Sequence, residues 1–373
     1  MSKVASKRLG DLITLKRGYD LPEKVRVAGP YPVISSAGIS GYHNAFKVEG
    51  PGVVTGRYGT LGEMYYAEGR YWPHNTALYV QDFKGNDPKY IYYLLGCLGR
   101  IRTSDKSAVP GVNRNELHEM EIPAISDPSV QVKVRKVLET IDKKVDLNNR
   151  INAELESMAK MLYDYWFVQF DFPDANGKPY KTSGGKMVYN ATLKREIPAM
   201  WGVSNLGEIA ELYQPKTISG KDFISNGKYL VYGANGIVGR FDEYNHVESV
   251  VTITCRGNTC GNINITRPYS WITGNAMVVR PKCDYLVPYY IYNLLLLSEV
   301  DKVITGSAQP QITRANLAPL KVVIPDSNVT QKFSMFADNL FKRHTAILDE
   351  NETLQKLRDW ILPLLMNGQV TVK

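Results

Sequence analysis

The chain has 373 residues, enough for two domains of ordinary size. Apolar residues make up 44% and charged residues 22%, which excludes a mainly disordered or collagen-like chain. Lys+Arg 45 against Asp+Glu 37 leaves a net charge of +8, with a pI near 9.0; that fits a nucleic-acid partner without requiring one.

From residue 1 to 10 the chain carries Lys3, Lys7 and Arg8 with no apolar core behind them, so no signal peptide is expected. The clearest apolar run, 294–297, is far shorter than the roughly 18–20 residues a bilayer crossing needs, so no membrane association is expected. Four cysteines are too few for a disulfide framework. A cytoplasmic protein is the expectation.

The dominant feature is a tandem repeat. Leu9-Gly10-Asp11-Leu12 returns as Leu206-Gly207-Glu208-Ile209, and residues 31–46 (YPVISSAGISGYHNAF) return as 229–244 (YLVYGANGIVGRFDEY). Arg57 and Gly62 return as Arg256 and Gly261, Trp72 and Ala77 as Trp271 and Ala276. Residues 90–95 return as 290–295, and Ser107-Ala108 with Pro110 and Arg114 as Ser307-Ala308 with Pro310 and Arg314. The offset drifts only from 197 to 200, so chance does not explain it.

Each copy begins with short β-branched and aromatic runs punctuated by glycine, which read as strands and turns, and one buried helix (90–98 and 288–297). Past Pro123/Pro128 and Pro325 each copy becomes a long helical stretch. Val134, Leu138, Ile141, Val145, Asn148, Asn152, Leu155, Ala159, Leu162 and Trp166 advance by fours and threes, the period of a coiled-coil seam. The second copy gives Phe333, Ala337, Leu340, His344, Ile347, Asn351, Leu354, Arg358, Ile361 and Leu365. Asn152 and Asn351 share a repeat position, where an asparagine can fix register.

The expected fold is therefore α+β: two mixed, β-rich globular domains separated by a pair of long antiparallel coiled-coil helices, with a pseudo-twofold internal repeat. The segments are a first domain at 1–127, helical spacer 128–168, linker 169–205, second domain 206–327 and second helical spacer 328–368. A fully helical 130–166 spans about 55 Å. Domains of ~14 Å radius of gyration at its ends would lie about 35–50 Å apart, the scale on which twofold DNA binders space half-sites.

With these marks in place, the chain resembles the specificity subunit of a type I restriction–modification system over nearly its whole length. The carriers are residues 31–41 and their partner 229–239, the turn 57–62, Ser-Ala-x-Pro at Ser107 and Ser307, the segment 166–171 (WFVQFD), and Glu196-Ile197-Pro198 with Trp201 leading into Leu206-Gly207. Met200 and Gly202 depart from the Gly-Trp-Glu run usual in that family, as does the short lead-in before Leu9. The resemblance implies two target-recognition domains on a non-catalytic subunit that binds a bipartite, asymmetric DNA sequence. It implies two adenine-N6 methyltransferase subunits as partners, and restriction/translocase subunits besides. S-adenosylmethionine, and ATP and Mg for restriction, would then belong to the partners, with no cofactor on this chain. No G-x-x-x-x-G-K-[ST] loop and no Asn/Asp-Pro-Pro-aromatic motif occurs, in keeping with that. Two other readings remain: a self-contained DNA-modifying enzyme with divergent motifs, and a coiled-coil protein adaptor.

DNA-contacting side chains should be polar or cationic and sit on loops. In the first copy the candidates are Lys16, Arg17, Ser36, His43, Arg57, Tyr58, His74, Asn75 and Lys106. In the second they are Gln214, Lys216, Asn235, Arg240, Arg256, Asn258, Asn275 and Gln309. Positions shared by both copies (Arg57/Arg256) suit phosphates, and divergent ones (Ser36/Ala234, His43/Phe241, Asn75/Gly274) suit base readout. Trp166, Phe167, Trp360 and Leu364 are candidate partner-docking residues. Cys255 and Cys260 have zinc-like spacing, yet the first copy has Gly56 and Leu61 there, so no metal site is expected. The five histidines are scattered and no catalytic site is expected.

Overall fold

The computed structural model describes residues 4–57, 63–98, 113–306 and 309–372. It divides into two compact units, residues 1–148 with 350–373 (unit 1) and residues 149–349 (unit 2). In chain order unit 1 carries β1 (Val4–Arg8), α1 (Leu9–Leu12), β2 (Thr14–Arg17), β3 (Tyr31–Ser35), β4 (Gly38–His43), β5 (Gly52–Gly56), β6 (Met64–Ala67), β7 (Trp72–Pro73) and β8 (Ala77–Asp82). There follow α2 (Pro88–Cys97), α3 (Arg114–Glu119), β9 (Glu121–Ile125) and the start of α4 (Pro128–Tyr163). The rest of α4 lies in unit 2, with β10 (Met187–Asn190), β11 (Arg195–Pro198), β12 (Gly202–Asn205), α5 (Leu206–Ile209), β13 (Ala210–Tyr213), β14 (Tyr229–Gly233) and β15 (Gly236–Phe241). Unit 2 continues with β16 (Val251–Thr254), β17 (Ile263–Ile265), β18 (Trp271–Ile272), β19 (Ala276–Pro281), α6 (Pro288–Leu296), α7 (Arg314–Leu317) and β20 (Lys321–Ile324). The last helix, α8 (Ser327–Met366), starts in unit 2 and finishes in unit 1.

The two copies repeat one topology. Sheet β2-β8-β5-β6 corresponds to β13-β19-β16-β17, sheet β4-β3-β7 to β15-β14-β18, and the pair β1-β9 to β12-β20. Strand alternation explains how a single sheet serves two cores. In unit 1 Val53, Leu78 and Val80 point to a core with Tyr90, Ile91 and Leu94 of α2, while Val54, Ala77 and Tyr79 point to one with Ile34 and Tyr71. In unit 2 Val251, Ile253, Met277 and Val279 join α6, while Val250, Ala276 and Val278 join Tyr232 and Ile272. Asp87 caps α2 by accepting from Tyr90 N at 2.8 Å, and Pro88 occupies the first helical turn, where its missing N–H costs nothing.

The long helices are completed by the β-rich domains. Val134 and Leu138 of α4, with Leu365 and Met366 of α8, belong to the main core of unit 1. The equivalent residues of unit 2 are Phe333 and Ala337 of α8, with Tyr163, Trp166 and Phe167 at the end of α4, where a wider π-turn (Asp164–Val168) closes it. Phe333 is fully buried, its ring 4.9 Å from Phe167 and 5.9 Å from Trp166.

Within each unit the helices run antiparallel. In unit 1 Arg358 donates to Asp142 at 3.1 Å, and Asn148 donates to Asn351 at 2.8 Å; in unit 2 Glu156 pairs with His344 at 2.9 Å. His344 and Arg358, the two charged seam positions, are thus each matched by a carboxylate of the opposing helix. Ile141, Leu155 and Asn152 are buried, while Val145, Leu162, Leu340, Ile347, Leu354 and Ile361 are half-buried. Asn152 is buried with no hydrogen-bond partner among the described residues, whereas Asn351 accepts from Asn148.

The stretch 169–205 is folded rather than an open linker, because it is rich in aromatic residues that bury. Phe172 stacks between Tyr180 (4.7 Å) and Trp201 (5.1 Å), and β10 and β11 form a hairpin.

Replacing Phe333 by alanine should cost about 3–5 kcal/mol, the usual range for a buried aromatic truncation. Chemical denaturation should show that loss in unit 2, whereas Trp360→Ala, at a side chain 65% exposed, should stay within about 0.5 kcal/mol.

Candidate nucleic-acid interface

In unit 1 three segments, 17–20, 34–36 and Arg57, converge on the turn between β7 and β8. His74 N donates to Ile34 O at 2.8 Å, and Arg57 N to Thr76 O at 2.9 Å. The Thr76 hydroxyl meets Ser36 N at 3.3 Å and His74 Nδ1 at 3.1 Å. Arg17 Nε donates to Asn75 O at 3.3 Å, and the Asn75 amide reaches the Asp20 carboxylate. Gly18 makes the approach of β2 possible: a Cβ there would lie 2.1 Å from His74 O. Lys16, Arg17, Ser36, Arg57, His74 and Asn75 are therefore brought together. Burial, helped by the Arg26 guanidinium, lowers the His74 pKa, favouring a neutral ring. Lys16 and Lys47 both lie over the Tyr19 ring, 5.8 and 5.7 Å from its centroid.

Unit 2 builds the same arrangement. Thr273 N donates to Tyr232 O at 2.9 Å, the counterpart of the His74 bond, and Cys255 N donates to Asn275 O at 3.1 Å. Thr259 Oγ1 donates to Ala234 O at 3.2 Å, as does Thr254 Oγ1. Gly257 N donates to Pro310 O at 3.2 Å, tying in the segment next to Gln309. A Cβ on Gly274 would meet Thr217 Oγ1 at 2.6 Å, so this turn approaches the 214–217 loop closely. Gln214, Lys216, Asn235, Arg256, Asn258, Asn275 and Gln309 are all exposed on these joined loops.

Several expected residues sit elsewhere. His43 is buried, its Nδ1 within 3.1 Å of Val27 N and its ring edge-on to Trp72 at 5.3 Å. Phe241 packs the same way on Trp271, also at 5.3 Å, so the position holds a ring against a tryptophan in both copies and is corrected from base reader to packing residue. Arg240 lies on β15, half-buried, donating to Gly227 O at 3.1 Å. Trp166 and Phe167 are 4% and 5% exposed inside the core of unit 2, which removes them as a docking face. Trp360 is exposed and Leu364 half-buried. Tyr58, Lys106, Ser107 and Ser307 lie outside the described residues. Among the described residues no group of three or more His, Cys, Asp or Glu is placed to hold a metal ion; Cys255 is buried, 3.5 Å from Ile253 O. No described helix is long and apolar enough to cross a membrane.

Thr76 was not legible as a loop organiser in the sequence. Its counterpart is Asn275, and unit 2 braces the corresponding turn through Thr254 and Thr259 instead. The repeat therefore has no residue type in common at that position, Thr76 standing against Asn275.

Comparison with known proteins places this geometry. A sequence model described as the type I restriction modification DNA specificity domain matches residues 1–157 and 198–357. The MjaIX type I restriction enzyme specificity subunit of Methanocaldococcus jannaschii is 26% identical over 329 residues, covering 79% of this chain and 73% of that protein. The HindI specificity subunit of Haemophilus influenzae is 20% identical over 320 residues, covering 66% and 68%. A crystal structure of a type I restriction–modification S subunit from M. genitalium shares the fold with a TM-score of 0.64, at 18% identity and 98% and 96% coverage.

One brace gives a pH test. His246 is buried between the Tyr213 hydroxyl (2.8 Å) and Asn245 (2.6 Å), beside the loop that begins at Gln214. Burial, and then the Arg280 guanidinium, pushes its pKa down to about 4. An unfolded histidine takes up its proton near pH 6.5, so the unfolded state binds more protons below that pH. Unit 2 should accordingly lose stability between about pH 6.5 and 4, by up to ~1.4 kcal/mol per pH unit. His246→Gln should flatten that slope in denaturation curves.

Proposed function

The chain belongs to the type I restriction modification DNA specificity family, and on that premise we propose how it reads DNA. It is a non-catalytic specificity subunit that recognises a DNA sequence. The finer reading is a bipartite, asymmetric target with an unread gap, one part read by each unit. The chain would hold two adenine-N6 methyltransferase subunits in the cytoplasm, with restriction/translocase subunits added for cleavage. S-adenosylmethionine, ATP and Mg are assigned to those partners.

The observation that carries this reading is one scaffold bearing two sets of tips. Both units hold their reading turn with the same backbone bond, His74 N to Ile34 O and Thr273 N to Tyr232 O. The side chains on those turns differ: Ser36 and Asn75 in unit 1 stand where Ala234 and Gly274 stand in unit 2. Like scaffolds with unlike tips suit two half-sites of different sequence. Arg57 and Arg256 occupy the shared position, which suits a phosphate, since every sequence offers one. Trp360, a large exposed aromatic on α8, and the half-buried Leu364 remain the candidates for docking a methyltransferase subunit.

Mapping methylated adenines in cells that carry this chain with its methyltransferase partner tests the reading. A motif in two parts is expected, and a contiguous motif overturns it. Exchanging the loops of residues 206–325 for those of a relative should change one part only. Removing seven residues from both α4 and α8 should shorten the gap and leave both parts intact. Thr76→Val, which loses the hydroxyl bonds to Ser36 and His74, should weaken discrimination in one part by about 5-fold, the equivalent of ~1 kcal/mol. Binding measurements on single-base variants of the mapped motif would show it.

A further inference from the structure

Residues 158–197 fall between the two stretches matched by the family's DNA specificity domain, yet part of this segment forms a fixed surface. Between 175 and 195 the sequence holds Lys178, Lys181, Lys186, Lys194 and Arg195 and no acidic residue; with Asp171, Asp174 and Glu196 counted, residues 171–196 carry five cations against three carboxylates, a net charge of +2. All five are exposed, and none forms an ion pair among the described residues. The two nearest preceding carboxylates accept hydrogen bonds from the turn and form no ion pair with the five among the described residues. Asp171 accepts from Thr182 N at 2.8 Å and Thr182 Oγ1 at 2.6 Å, and Asp174 accepts from the backbone N of Asn176 and Lys178, both at 2.8 Å.

The backbone that carries these cations is held in place. The Phe172–Tyr180–Trp201 stack anchors the base of the segment, and Tyr180 Oη donates to Lys186 O at 2.9 Å. Lys181 N donates to Phe170 O at 3.2 Å, while the Arg195 guanidinium lies 5.7 Å from the centre of the Phe170 ring. Lys181 and Arg195 therefore flank one buried phenylalanine. The backbone of the segment is thus ordered, and of its five cationic groups the Arg195 guanidinium packs on a buried ring.

We propose that this hairpin module, residues 175–195, is a second DNA contact that binds the phosphodiester backbone irrespective of sequence, apart from the reading loops. The proposal rests on the DNA-reading function above. A polyanion is the occupant because the surface offers an excess of cations. Phe172 and Trp201 at its base are buried and Tyr189 is the one exposed aromatic ring of residues 175–195, so the module has no row of rings on which successive unpaired bases could stack.

The test uses the full chain and a mixed-sequence duplex, with affinity followed from 50 to 200 mM salt. Replacing all five cations by alanine should make the dependence of log affinity on log salt shallower by roughly 0.9 for each phosphate that is no longer neutralised. A change equivalent to at least two phosphates is expected, with target and non-target duplexes weakened by the same factor and the methylated motif unchanged. Changing the four lysines to arginine should preserve the wild-type slope. An unchanged slope in a five-alanine variant with native circular dichroism overturns the proposal, as does a changed motif. Loss of methyltransferase binding with an unchanged slope overturns it in favour of a protein-facing surface. Failure of the underlying reading looks different: the unaltered chain would then show no salt-dependent affinity for any duplex.

Discussion

Each compact unit completes its core with a helix segment from the other copy of the repeat, and the rest of the structure depends on that exchange. Unit 2 takes Tyr163 from α4 with Trp166 and Phe167 from the π-turn that closes it, and unit 1 takes Leu365 and Met366 from α8. Each fully buried aromatic or large aliphatic side chain contributes roughly 1.5–3 kcal/mol. Several such residues amount to a sizeable part of the ~5–15 kcal/mol by which a domain is stable. A copy cut out along its sequence boundaries would lose these residues and expose Phe333 or Leu138. The antiparallel direction of the helices is therefore required by core completion in both units as well as by their own seam.

The seam itself is mixed in character. Apolar contacts concentrate near the β-rich domains, at Val134, Leu138, Phe333 and Ala337, and polar pairs occupy the positions beyond them. Asp142 serves two partners, Arg358 at 3.1 Å and the Tyr93 hydroxyl at 2.6 Å, so one carboxylate couples the helix pair to α2. Asn148 likewise donates to both Asn351 and Glu350, and that hydrogen bond lowers the Glu350 pKa. A one-residue slip would separate these partners and leave buried polar groups unpaired. Apolar seams tolerate such slips more readily, so the polar middle sets register.

Periodicity and duplication made the architecture readable because both arise from backbone geometry, which the sequence expresses directly. A step of three and four residues marks a helix face, and strand alternation marks two faces of a sheet. The locations of individual site residues were less legible. His43 lies in a loop-like, polar stretch and gave no hint that its ring packs on Trp72; comparison with Phe241 in the second copy supplies that signal. Trp166 and Phe167 follow the end of a regular helix, where an unpaired aromatic cluster suggests a partner surface. Only the tertiary exchange between copies shows that the partner is the chain's own second domain. The aromatic spacing of Phe170, Phe172, Tyr180 and Trp201 was visible, yet glycine and proline around it favoured an open connection.

Duplication also constrains how the two copies can diverge. The bonds that hold the turns after β7 and β18 run from backbone to backbone, through Ile34 and His74 or Tyr232 and Thr273, and so place little demand on side-chain identity. Where a side chain must brace a turn, the copies use different ones: Thr76 in unit 1, and Thr254 with Thr259 in unit 2. Tips such as Asn75 and Asn235 are therefore free to change without loss of the scaffold, and the two copies can drift toward different sequences. Contacts that every sequence offers need no such freedom. The shared position Arg57/Arg256 and the contact proposed for residues 175–195 are both of that kind, since a phosphate is present whatever the half-site.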